Sequence, residues 1–221
     1  MTSKEFVAKA IALDNKNSIY GKGTFCNKYT KSFLNQKKKQ YPEFYTDKKC
    51  KEIEEKAKKG ELILADCVGL IKGIIWGYPD NGKYASNGLK DVSDQGLWDS
   101  YCANKSSDFN NITAGEIVHL KGHVGIYIGN GEVIEATTKW TGDILRSKLT
   151  DRKWTGHGKL TIISYEQTTP SYSMDYVVKR GDTMYAIAKK HNMTLVKLIA
   201  LNPQVRFPSL IFPGQVLHIK K

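Results

Sequence analysis

The sequence predicts an α+β protein in two domains: helices packed on an antiparallel sheet over residues 1–165, then a small βααβ domain over 176–221. Three observations predict it. Apolar residues recur at helical spacing through the first third of the chain. A strictly alternating run, HVGIYIGNGEVIEA (123–136), reads as a β-hairpin. The last residues read as strand, helix, helix, strand. Between the domains EQTTPSYSMD (166–175) has no Lys, Arg or aliphatic residue and is rich in Thr, Ser and Pro, the composition of a linker.

Charge divides at the same place. Residues 1–165 carry 26 Lys and Arg against 19 Asp and Glu, whereas 176–221 carry 8 against 1. The whole chain has a net charge of +12 over 221 residues, which predicts an anionic partner. The basic residues form no recognised nucleic-acid reading motif, so nucleic acid is not expected. No run reaches the roughly 18 consecutive apolar residues of a membrane span. The N-terminus, MTSKEFVAKAIALDNKNS, is too polar for a secretory signal, so synthesis in the cytoplasm or a signal-free exit is expected. Cys26, Cys50, Cys67 and Cys102 form no CxxC pair, so no zinc knuckle, other metal site or cofactor is expected. Three of them read as buried, reduced thiols.

In the first domain, Thr2 and Glu5 form a capping box ahead of a helix carrying Phe6, Val7, Ala10 and Ile11. Tyr20-Gly21-Lys22-Gly23 interrupts the helical pattern. An amphipathic stretch follows, with three lysines at 37–39, and then a charged helix in DKKCKEIEEKAKKGE. In ADCVGLIKGIIWGY (65–78) Asp66 reads as a structural N-cap, and Leu70, Ile71, Ile74 and Ile75 form a stripe that Gly77 ends. Cys67 therefore falls in the first helical turn. There unpaired backbone N–H groups and the helix dipole favour a thiolate and can receive an oxyanion.

A thiol nucleophile needs a base, and a histidine is the usual one. In the hairpin His123 alternates with Val124, Ile126 and Ile128. A two-residue Asn-Gly loop would put Glu135 on the face opposite His123. A three-residue Gly-Asn-Gly loop pairs 126 with 134, gathers the apolar residues on one face and leaves His123 and Glu135 as diagonal neighbours on the other. The apolar sorting predicts the three-residue loop, with Glu135 orienting His123. His119 is a second candidate base if the strand extends back to it. His157 reads as structural or substrate-contacting, and His191 and His218 as surface residues.

Asp66-Cys67-Val68-Gly69 followed by HVGIYIGNGEVIE resembles the NlpC-type family of papain-like cell-wall cysteine peptidases. With DVSDQGLW (91–98) and KLTDRKW (148–154) the resemblance narrows to clostridial and phage cell-wall hydrolases. It implies a papain-like domain with Cys67 as nucleophile, His123 as base and Glu135 as third residue. It also places Tyr20 at the substrate and makes an amide of the peptidoglycan stem the scissile bond. Val68 stands where the family has Ser or Thr, and Glu135 where many members have His. A bacterial autolysin or spore-wall hydrolase, or a non-catalytic wall-binding protein, are the alternatives.

The second domain opens on YVVK, closed by Arg180-Gly181. Asp182 is placed to cap a helix through MYAIAKKH, and Thr194 to cap a second through Leu195, Leu198, Ile199 and Leu201, stopped by Asn202-Pro203. Pro213-Gly214 turns the chain into a last strand. This stretch resembles a LysM module from end to end. The resemblance implies binding of N-acetylglucosamine-containing glycan between Gly181, Asp182, Thr183 and Met184 on one loop and Leu210 and Ile211 on the other. A monomer that binds peptidoglycan without inserting into a membrane is expected.

Overall fold

The structure, a computed structural model, describes residues 1–165, 174–202, 204–205 and 207–219. Most of the linker expected at 166–175 falls outside the described residues, as does Pro203. The chain forms two compact units, Met1–Glu166 and Gln167–Lys221. Among the described residues no helix is long and apolar enough to cross a membrane.

The first unit opens with α1 (Ser3–Asp14), started by the capping box: Glu5 N–H donates to Thr2 Oγ1 and Thr2 N–H to Glu5 Oε2. Strands β1 (Ser18–Tyr20) and β2 (Phe25–Lys28) follow, then α2 (Lys31–Gln40), α3 (Asp47–Ala57) and β3 (Ile63–Ala65). β3 lies between β1, which it pairs in parallel, and β2. α2 and α3 are not merely solvated faces. They bury Leu34, Cys50 and Ile53 with Tyr45, Ile19 and Leu64 in a core of their own.

Next come α4 (Cys67–Trp76), α5 (Asp94–Tyr101), β4 (Cys102–Ser106), β5 (Ile117–Leu120), β6 (His123–Gly129), β7 (Glu132–Ala136), β8 (Ile144–Lys148) and β9 (Gly156–Leu160). The strands form one antiparallel sheet in the order β4-β9-β5-β6-β7-β8. The main core lies between one face of that sheet (Ile117, Val124, Ile126, Ile134) and the stripes of α1 and α4. The opposite face carries a smaller cluster of Val118, Tyr127, Val133 and Trp154.

α4 lies unusually close to β2, and two glycines one turn apart allow it. A Cβ on Gly69 would collide with the backbone carbonyl of Thr24, and one on Gly73 would stand 2.6 Å from Cys26 Sγ and Phe25 O. Gly77, at φ +90°, then ends the helix in the left-handed region.

The central hairpin has the expected register and an unexpected turn. Ile126 faces Ile134 and Tyr127 faces Val133, but Gly129 faces Glu132. The loop is therefore the two residues Asn130 and Gly131, at φ +52° and +76°, with both central residues left-handed as in a type I′ turn. One extra residue, Ile128, is absorbed as a bulge between Tyr127 and Gly129. The bulge restores the parity that a third loop residue was expected to supply. The expectation for His119 also changes. β5 ends at Leu120, the chain reverses at Lys121-Gly122, and His119 faces Val124 across the pair. His119 thus shares the Val124 face, not that of His123.

In the second unit β10 (Met174–Val177) and β11 (Val216–Ile219) pair antiparallel around α6 (Met184–Lys190) and α7 (Leu195–Leu201). Thr194 caps α7 as expected. The cap of α6 is Thr183, whose hydroxyl accepts from Ala186 N–H at 3.1 Å, and not Asp182. Asp182 instead accepts from Lys179 N–H and the Tyr176 hydroxyl, both at 2.8 Å, which fastens the loop before the helix.

Candidate active site

Cys67 is the first residue of α4. Asp66 precedes it as N-cap, its carboxylate accepting from Gly69 N–H at 2.6 Å and from Gly23 N–H at 2.8 Å. The cap therefore also pins the Tyr20–Gly23 loop against α4. Cys67 is 8% exposed, deeper than an edge position. Burial, seconded by the Asp66 carboxylate, pushes its thiol up to about 12, against the N–H groups of Val124 and Val68 directed at the sulfur. The helix N-terminus is thus outweighed by desolvation. Burial thus favours the neutral thiol, whose proton a base has to take before the sulfur can attack.

His123 begins β6, immediately before Val124. Its Nε2 lies 2.5 Å from Glu135 Oε2. That contact commits Nε2 and leaves Nδ1 for a proton acceptor's part. The imidazole stacks on Trp154, with ring centroids 5.7 Å apart and planes 16° from parallel. Glu135 is fully buried and held three ways: by His123, by Arg152 Nη2 at 2.6 Å from Oε2, and by Ser147 Oγ at 2.6 Å from Oε1. Burial alone would raise its pKa. The bonds from His123, Arg152 and Ser147 prevail and hold it below the ordinary glutamate value.

Ser147 and Arg152 are the residues that sequence reading missed. Ser147 pairs with Val133 on β8, which puts it on the Glu135 face, and nothing local in the sequence announces that pairing. Arg152 lies in the KLTDRKW segment, its side chain 7% exposed and its guanidinium over the rings of Trp140 and Trp154.

Cys67 opens on a cleft of about 490 Å³ that Tyr20, Asp66 and Val68 also line. Burial raises the Tyr20 phenol, with the Asp66 and Asp94 charges adding to it. The remaining histidines lie elsewhere. His119 stacks on Trp98 at 4.6 Å, and burial lowers its pKa. His157 bonds Glu116 through Nδ1 and the Asp108 carbonyl through Nε2, which makes it a buried fastener of β9.

The second unit has its own groove of about 420 Å³. Asp182, Thr183, Met184 and Ile211 line it, with Tyr185 and Leu195. Gly181 and Leu210 fall outside its lining, Leu210 being 55% exposed. Among the described residues no group of three or more His, Cys, Asp or Glu is arranged to hold a metal.

The endolysin of Bacillus phage PZA is 41% identical over 56 residues, 25% of this chain and 20% of that protein. Chlorophenol reductase of Desulfitobacterium hafniense is 47% identical over 45 residues, 20% of this chain and 14% of that protein. The chain thus spans a fifth or less of the length of these curated relatives, and neither match is long enough to cover the first unit. The solved structure of NlpC2 from Trichomonas vaginalis aligns with 72% of this chain and 46% of its own, at a TM-score of 0.39 and 13% identity. The LysM domain family matches residues 176–220. That stretch, with its paired strands around two capped helices, is a LysM domain.

Proposed function

We propose that this protein is a peptidoglycan hydrolase in which a cysteine peptidase cuts an amide of the peptide stem and the LysM domain holds the glycan. One observation carries the reading: a buried Glu135 bonded at 2.5 Å to Nε2 of His123, on the residue next to the one whose N–H meets Cys67 Sγ. The endolysin match and the LysM domain support the wall as substrate.

In this mechanism His123 Nδ1 takes the Cys67 proton as the sulfur attacks the amide carbonyl. The oxyanion accepts hydrogen bonds at the first turn of α4, beside Tyr20. Collapse expels the amine, which leaves with the proton from His123, and a thioester remains. Water, deprotonated by the same nitrogen, hydrolyses it. Glu135 keeps Nε2 protonated and stabilises the imidazolium throughout. The groove beside Thr183 and Ile211 is the glycan site of the LysM domain. Release at lysis as a phage endolysin is the setting that fits a wall substrate best.

Clearing of a Gram-positive cell-wall suspension tests the reading. Cys67→Ala and Cys67→Ser should abolish clearing and keep the native melting profile, whereas Ala at Cys26, Cys50 or Cys102 should leave chemistry intact in any protein that folds. Clearing by Cys67→Ala would sink the mechanism. Mass spectrometry of the released muropeptides identifies the bond.

A further inference from the structure

Lys37 stands in the last turn of α2, 8% exposed, and lines the same cleft as Cys67. Its ammonium donates to the Gly23 carbonyl at 2.5 Å and to Gln40 Oε1 at 3.0 Å. It rests over the rings of Phe33 and Tyr41 at 5.5 and 5.7 Å from their centroids. Every one of these partners is uncharged. Among the described residues no carboxylate comes within 4.0 Å of it.

The contrast with Lys72 is direct. Lys72 is as deeply buried in the same cleft, but it is paired with Asp91. The acids nearest Lys37 are already engaged, Asp66 by the N–H groups of Gly69 and Gly23, Asp91 by Lys72 and the Tyr84 hydroxyl. A buried charge is normally paired, because desolvation without a counter-ion is costly. Burial accordingly lowers the pKa of Lys37, with Asp66 and Asp91 offsetting it only in part. An ammonium has three donors, and two are used. Lys22, on the same ring of Tyr41 at 5.6 Å, brings a second positive charge to this wall.

The position is tied to the nucleophile. Gly23 accepts from Lys37 through its carbonyl and donates to Asp66 through its N–H, and Asp66 caps the helix of Cys67.

We propose that Lys37 is a substrate-recognition residue whose counter-ion is a free carboxylate of the peptide stem, bound in the cleft beside the scissile amide. The proposal rests on the hydrolase reading above and adds what the substrate must carry. A stem in which that carboxylate is amidated leaves the ammonium unpaired and is discriminated against. The specificity element then belongs to α2, not to the sheet.

The test reads binding without cleavage, on the full-length Cys67→Ala protein by titration calorimetry. The probes are three synthetic stem peptides, L-Ala-γ-D-Glu-L-Lys-D-Ala as the free acid, with the glutamate α-carboxylate as a carboxamide, and with the C-terminal carboxylate as a carboxamide. One carboxamide should bind about tenfold more weakly than the free acid, and which one it is identifies the carboxylate. Lys37→Gln should remove that discrimination while leaving affinity for the weaker peptide unchanged, which reports a folded cleft. Lys37→Arg should retain it. Equal binding of all three peptides, discrimination that survives Lys37→Gln, or no binding of any peptide overturns the proposal. None of those results touches the hydrolase reading, which stands or falls on clearing by Cys67→Ala.

Discussion

Glu135 shows what three hydrogen bonds achieve against full burial. Desolvation favours the neutral acid, but His123, Arg152 and Ser147 favour the carboxylate and win. A group with a depressed folded pKa stabilises the fold above its unfolded pKa. That contribution is lost as pH falls through the folded value. Glu135→Gln should therefore flatten the acid limb of the stability curve, measured as unfolding midpoint against pH from neutral down to about 3. The same substitution keeps an acceptor for His123 but removes the charge that supports the imidazolium. Activity should drop on the order of 10²-fold, less than for Cys67→Ala or His123→Ala. A variant as active as the parent would remove Glu135 from the account. In physical terms the partnership of His123 and Glu135 was legible because period-two alternation is local. The clamp by Ser147 and Arg152 was not, because it depends on which strand lies next to β7.

At the scale of elements, α4 is positioned by its glycines. The sequence DCVGLIKG shows a cap, a cysteine and an apolar stripe, and the stripe does face the core. It does not show why Gly69 and Gly73 recur one turn apart. The reason is the close approach of the Thr24–Cys26 segment: the Thr24 carbonyl crowds a Cβ at Gly69, and the Phe25 carbonyl and Cys26 sulfur crowd one at Gly73. Gly73→Ala should cost about 1–3 kcal/mol from overpacking, in spite of alanine's better helix propensity, and equilibrium denaturation would measure it. A gain in stability would mean that the helix can shift, and with it Cys67. The hairpin teaches a related point. Pattern predicted the pairing of Ile126 with Ile134 correctly but attributed it to loop length. A bulge at Ile128 produces the same parity, and sorting of apolar residues cannot distinguish the two.

At the scale of the whole molecule, the two units carry separate cores and separate grooves. Residues 1–165 alone should keep intrinsic cleavage of soluble muropeptides but sediment less with intact walls. Residues 176–221 alone should sediment without cutting. The latter holds 8 Lys and Arg against 1 acid, so part of its binding should weaken with added salt as exposed charges are screened. Contacts made in the groove should persist. Equal sedimentation of the full-length and truncated proteins would take the LysM domain out of wall binding.

The sequence by itself determined the features set by neighbours along the chain. These include the capping box at Thr2, the helix start at Asp66, the period of β6 and β7, and the whole βααβ order of the LysM domain. Tertiary structure decided what depends on contacts between distant segments. It placed His119 on the face away from His123 and moved the α6 cap from Asp182 to Thr183, whose carboxylate neighbour was taken by Tyr176 and Lys179. It also set how deeply Cys67 is buried, at 8% exposure. A helix N-terminus is visible in sequence, but the depth at which that terminus is buried is not, and there desolvation exceeds the pull of the dipole.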